Sequence, residues 1–227
     1  MRERYELVGF LMLVGIAAVY LWKCVVRQKL QLQTISRVIE PLGFTCIFDG
    51  LETLPAALKA HPFIPQLDVF GVLAVWKGRI NGLETYLIWK GTRNIDAYES
   101  PALGDSYMGM IVGCIRAHPP YLPECKLVPE FSFFGHVKRE RAFNDSYWFE
   151  PPDDVIREVF SRAEVNSLFE KEKGWYFHNS REWAVVYRYS EKDVDSQMIR
   201  EFIEGAFQVF RVLDDNWKLM TAASQRQ

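Results

Sequence analysis

VLAVWKGRINGLETYLIWK, residues 72–90, is the stretch that decides the fold. Two runs rich in β-branched and aromatic residues flank Asn81-Gly82. That dipeptide tolerates the positive φ angles that a two-residue turn between twisted antiparallel strands requires. The spacing therefore predicts a hairpin with strands over 72–80 and 83–90. Outward from it, further strand-like runs cover 107–117, 124–134 and 143–149, separated by HPPYLP (118–123) and the charged KRER segment (138–141). Before the hairpin, LPAALKAHPFIP (54–65) reads as a short helix and a turn.

The remainder is helical apart from one more hairpin. Pro151-Pro152-Asp153-Asp154 opens a helix with proline and acids in its first turn, where the backbone dipole favours them, and Val155, Ile156, Val159 and Phe160 form its apolar face. A second helical piece, 163–173, stops at Gly174. WYFHNSREWAVVYRY (175–189) reads as a hairpin turning near Asn179-Ser180. A long helix over 195–213 carries Ile199, Phe202, Ile203, Ala206, Phe210 and Leu213 on one side, with its cap among Asp193, Asp195 and Ser196. Strands in succession followed by helices, without regular alternation, predict an α+β fold: an antiparallel sheet with packed helices. A pleckstrin-homology-like barrel with a helical insertion is the alternative architecture, by analogy of element count.

The chain has 227 residues, 49% of them apolar, 25% charged and 15% aromatic. That composition supports one large core and excludes a disordered, collagenous or polytopic membrane chain. Lys and Arg number 27 against 29 Asp and Glu, a net charge of -2, so a generic nucleic-acid binder is not expected.

The amino terminus carries a different signal. Residues 7–22, LVGFLMLVGIAAVYLW, form an uncharged run bounded by Arg2, Glu3, Arg4 and Glu6 on one side and Lys23, Arg27 and Lys29 on the other. Counted from Tyr5 to Val26, with Lys23 reaching outward along its stem, a helix here is roughly 33 Å long, enough for a hydrocarbon core of about 30 Å. Leu7, Phe10, Leu11, Leu13, Ile16 and Leu21 supply apolar surface, while Tyr5, Tyr20 and Trp22 suit the interfacial belts. A cleaved signal peptide would end in a polar region with small residues at the cut, whereas this run passes from Ala17-Ala18 straight into Val19, Tyr20, Leu21 and Trp22. A buried soluble helix would need a cover that nothing in the sequence supplies. The expectation is a single-pass anchor over 1–27. No small-xxx-small pair supports dimerisation within the bilayer.

Beyond the anchor, residues 28–43 predict an amphipathic stalk helix with Ile35, Val38, Ile39 and Leu42 on one stripe, stopped by Pro41 and Gly43. A soluble α+β domain over 44–214 and a tail over 215–227 complete the division. Lys23, Arg27, Lys29 and Arg37 follow the run with no acid before Glu40, which favours a cytoplasmic body at the cell membrane. Cys24, Cys46, Cys114 and Cys125 show no close pairing and no disulfide framework. The sequon Asn144-Asp145-Ser146 reads as chance outside a eukaryotic secretory lumen.

Motifs for known chemistry are missing. The sequence holds no P-loop, dinucleotide fingerprint, G-x-S-x-G, H-E-x-x-H or C-x-x-C, and neither a cofactor nor a metal is implied. Cys114 and His118 lie too far apart along a strand to act as nucleophile and base, about 13 Å. If the strands flanking Pro119-Pro120 pair about that dipeptide, Cys114 and Cys125 sit opposite each other; two buried thiols are then the simple reading. The polar cluster His136, Lys138, Arg139, Glu140, Arg141 and Asp145 is the best candidate surface, since arginine forks bind phosphates and carboxylates, although interleaved acids also suit a solvated turn. Phe131, Phe133, Phe143, Tyr147 and Phe149 alternate as core residues would.

The G-x-x-N-G turn (78–82), LPE-x-x-LVPE (122–130), FNDSYWFEPPDD (143–154) and the W-Y-F and W-A-V-V-Y-R-Y strands before a final helix together resemble a group of uncharacterised bacterial membrane-anchored proteins. The resemblance implies a bacterial source and a cytoplasmic domain on a tether, with no assigned chemistry to carry over. Two functions follow as expectations. The first is a membrane-tethered interaction or scaffold module that meets the bilayer through its first helix and a protein partner through its body. The alternative is a membrane-anchored enzyme, such as a hydrolase, with a site assembled from His136, His178, Asp145 or Glu150.

Overall fold

The structure, a computed structural model, describes residues 2–47, 50–68, 72–92, 108–129, 140–141, 147–150, 154–171, 174–190 and 195–225. The hairpin forms as its turn chemistry dictates. β2 (Val72–Ile80) and β3 (Leu83–Thr92) pair antiparallel from Ile80↔Leu83 to Val72↔Lys90. Asn81 and Gly82 both take positive φ, 50° and 85°, as a type I′ turn demands.

The hairpin seeds one antiparallel sheet of nine strands. Its other members are β1 (Thr45–Ile47), β4 (Met108–Arg116), β5 (Cys125–Pro129), β6 (Glu140–Arg141), β7 (Tyr147–Glu150), β8 (Tyr176–Ser180) and β9 (Trp183–Ser190). They run in the order β1-β2-β3-β4-β9-β8-β5-β7-β6. Among the described residues β1 and β6 each pair on one side only, so the sheet does not close there as the barrel alternative requires. β4 pairs with β3 and β9, not with β5, because the second hairpin inserts between them. Cys114 therefore faces Val185 and Cys125 faces Asn179, and the expected cysteine juxtaposition does not arise.

Helices cover both faces. On one lie the last turns of α1 (Arg2–Ile39), with α4 (Asp154–Phe160), α5 (Ala163–Lys171) and α6 (Ser196–Ser224), packed on Trp76, Leu87, Ile115, Phe177 and Val186. On the other lies the segment holding α2 (Ala56–Lys59) and α3 (Ile64–Asp68), whose Leu58, Phe63, Ile64 and Leu67 cover Val75, Tyr86, Ile88, Val112 and Tyr187. A sheet buried on both sides explains why the hairpin strands are apolar almost continuously. The α+β fold, an antiparallel sheet with packed helices, is thus as expected.

Three boundaries differ from expectation. The second hairpin turns at Arg181-Glu182, with Ser180 opposite Trp183 and Arg181 at φ 54°. α6 is capped by the Asp195 carboxylate, which accepts from the Met198 N–H at 2.8 Å, but it continues to Ser224, so most of the expected tail is helix. Leu42 is exposed rather than joining Ile35, Val38 and Ile39 in the core. The outer parts of two expected strands, 130–134 and 143–146, lie outside the described residues.

The segments expected as anchor and stalk belong to one uninterrupted helix, Arg2–Ile39. Among the described residues no helix is long and apolar enough to cross a membrane. The expected span covers 7–22, and the side chains of 7–11, 20 and 21 lie outside what is described, Leu7, Phe10, Leu11 and Leu21 among them.

Candidate functional site

α1 changes character along its length. Ile35, Val38 and Ile39 are buried in the core, and Ser36 Oγ accepts a hydrogen bond from the Trp76 indole N–H at 3.4 Å. Towards the amino terminus the described apolar side chains lie bare: Leu13 and Ile16 are each 68% exposed, Trp22 67% and Val25 61%. Among the described residues no protein surface covers them.

The polar surface expected from His136, Lys138, Arg139 and Asp145 lies outside the described residues; of its members only Arg141 and its neighbour Glu140 are placed, as backbone of β6. Of the enzyme candidates, His178 and Glu150 are described. They share a sheet face with Lys126 between them, in the cross-strand row Lys77, Tyr86, Cys114, Val185, His178, Lys126, Glu150. Two strand spacings separate His178 from Glu150, about 10 Å, and Lys126 Nζ pairs with Glu150 at 3.9 Å.

His178 meets a second histidine that the sequence did not single out. His61 sits between α2 and α3, with ring centroids 6.5 Å from His178 and both side chains buried. Its Nδ1 accepts the Phe63 N–H at 3.2 Å, which assigns the neutral ring's proton to Nε2. Phe63 stacks on Tyr187 at 4.5 Å and lies 5.2 Å from His178, walling the pair from solvent. Burial pushes His61 down to about 4. Burial, then the charges of Lys126 and His61, push His178 down to about 3. Both rings are neutral near pH 7. A metal on His61 Nε2 would need the proton on Nδ1, which faces a donor, so this pair is poorly suited to ligation. Among the described residues no three His, Cys, Asp or Glu side chains converge as a metal cluster would require. Cys114 and Cys125 are buried thiols in no disulfide, assigned to the two opposite faces of the sheet, and burial raises the Cys114 thiol.

The turn end of the sheet holds the densest described charge network. Glu84 accepts from Lys77 Nζ at 2.9 Å, from the Tyr86 hydroxyl at 3.2 Å and from Arg116 Nη1 at 3.3 Å, while Arg116 also donates to Glu182 at 2.9 and 3.2 Å. Bonding to Lys77 holds the Glu84 carboxyl below its ordinary range. Sequence reading missed this network, although a two-residue turn at Asn81-Gly82 already sets Arg79 opposite Glu84.

These features define a helix-flanked antiparallel α+β domain continuous with a bare apolar helix. No protein-family model matches the chain, and no curated protein matches it significantly. Among solved structures, the crystal structure of the mycobacterial trehalose monomycolate transport factor A, TtfA, is similar in fold, with a TM-score of 0.53 at 10% sequence identity. The alignment covers 81% of this chain and 92% of that one. A likeness at that identity shows the fold alone.

Proposed function

We propose that this chain is a membrane-tethered interaction module, held at the cell membrane by α1 and presenting its α+β body on the cytoplasmic side to a protein partner. The observation that carries the reading is the bare apolar surface of α1 at Met12, Leu13, Ile16, Val19, Trp22 and Val25, on a helix that runs without a break into turns buried in the domain core. Leaving such surface in water is costly, at about 25 cal/mol per Å², and a bilayer removes that cost without a second polypeptide. The basic residues after the run, Lys23, Arg27 and Lys29, support an inward-facing body. A module is preferred to an enzyme because His178 is buried and neutral, and its row holds no accessible nucleophile.

The test is fractionation of cells expressing the full chain, followed by alkaline carbonate extraction and protease treatment of spheroplasts. The protein is expected in the carbonate-resistant membrane fraction, with its body protected from external protease. The double variant Leu13→Arg, Ile16→Arg should leave that fraction, since each arginine at mid-helix opposes insertion by roughly 3 kcal/mol. Wild-type protein recovered in the soluble fraction, or a body digested from outside, refutes the proposal.

A further inference from the structure

We propose that the clefts on either side of Arg79, at the turn end of the sheet, form a binding site for a phosphate-bearing anion. Arg79 lies directly across the strand pair from Glu84, yet the Glu84 carboxylate is drawn away to Lys77, Tyr86 and Arg116. Arg116 is in turn held by Glu182. Arg79 is exposed and has no ion-pair or hydrogen-bond partner among the described residues. It is the surplus cation of the network.

Two clefts share Arg79 and Glu84. One, of about 430 Å³, is completed by Leu42, Gly43, Lys77 and Gly78. The other, of about 300 Å³, is completed by Gly82, Arg116, Ala117, His118 and Tyr121. Gly43 and Gly82 leave open space where a Cβ would stand, so their backbones admit a ligand. The linings carry three fixed cations, Lys77, Arg79 and Arg116, against one acid, Glu84. A positive surplus persists even when Glu182 is counted. The arginine fork can engage two oxygens at once. His118 and Tyr121, from the loop after β4, line the second cleft with Arg79, and a phosphate offers their hydrogen-bonding groups more acceptor oxygens than a carboxylate does.

The proposal does not depend on the membrane tether. Lipid headgroups and soluble phosphate esters share the chemistry, and titration calorimetry on the full chain in a neutral detergent separates them. Inorganic phosphate serves as one probe and glycerophosphoglycerol, a diester headgroup without acyl chains, as the other. Saturable binding is expected, weakened about tenfold or more by Arg79→Gln and unchanged by Arg200→Gln, an exposed arginine on α6 outside both clefts. Binding of inorganic phosphate alone supports the site with a soluble monoester as its source. Binding that includes the diester supports it with a lipid headgroup as its source. Failure of both probes to bind, or equal binding by Arg79→Gln and wild type, overturns the proposal.

Discussion

Acid should unfold this domain well before its carboxylates are neutralised, because two buried imidazoles cannot accept protons in place. His61 and His178 are held down to about 4 and about 3 from an ordinary 6.5. The unfolded chain therefore binds two protons that the folded chain refuses. Stability from this source is full above pH 6.5 and is lost as pH falls towards the folded values. Between pH 7 and about pH 4.5, protonation of each unfolded histidine costs the folded state roughly 2–3 kcal/mol, so the pair costs several kcal/mol, comparable with the whole stability of many domains. Glu84, held low by Lys77, adds its own loss only as pH falls through the carboxylate range. Asp214, raised by burial, works in the opposite sense over that range. The window above about pH 4.5 thus belongs to the histidines.

Urea midpoints of the full chain in neutral detergent, followed by tryptophan fluorescence, measure the effect, since Trp76, Trp89, Trp175 and Trp183 are all fully buried. His61→Asn keeps an acceptor near the Nδ1 position for the Phe63 N–H and removes one titrating group, so the acid-linked loss should fall by about half. An unchanged pH dependence in that variant would refute the reasoning.

Further outcomes follow from other contacts. Gly205→Ala should destabilise by about 1–3 kcal/mol in urea titrations despite alanine's better helix propensity, because its Cβ would lie 2.5 Å from the buried Trp175 ring. Asp195→Ala removes the α6 cap and should cost about 1 kcal/mol, read in the same assay. In a Cys24→Ser background, a thiol reagent should find one reactive cysteine in native protein, Cys46, and three after denaturation, since Cys114 and Cys125 are buried. Reaction at Cys46 should accelerate with rising pH, because burial and then Glu40 raise its thiol.

Local chemistry was legible in the sequence and long-range pairing was not. The Asn81-Gly82 hairpin is readable because a turn and its two flanking strands contain the whole cause. Asn179-Ser180 has the composition of a turn, yet the chain turns two residues later, at Arg181-Glu182. Asn179 is instead spent at long range, its side-chain N–H donors reaching the carbonyls of Leu122 and Pro123 at 2.6 and 3.1 Å. α6 runs past Leu213 through residues that break the apolar pattern. Asp214 is buried with its Oδ2 against Lys218 at 2.6 Å, and the Asn216 side chain donates to the Val212 carbonyl at 2.8 Å, so each side chain has one polar atom paired within the helix itself, while its Oδ1 is buried without a partner. β1 and β6, three and two residues long, are too short for any periodicity to announce. His61 acquires its significance only when the α2–α3 segment folds over β8, a contact that no local pattern encodes.

The continuity of α1 bears on how a tethered domain would meet a partner. A flexible linker would let the body sample all orientations beneath a bilayer, but here the bare apolar stretch and the buried turns belong to one helix of 38 residues, about 57 Å long. Burial of Ile35, Val38 and Ile39, at roughly 1.5–3 kcal/mol each, together with the Ser36 to Trp76 hydrogen bond, fixes the helix to the sheet. The body cannot swivel independently of the amino-terminal part of α1 unless those contacts break. Replacement of Ile39 by alanine would loosen that joint by about 2–5 kcal/mol while leaving residues 7–22 intact, so membrane association should persist as partner capture weakens. The distinction matters because a module whose anchor served only to raise local concentration would tolerate a loose joint, whereas one that presents a fixed face would not.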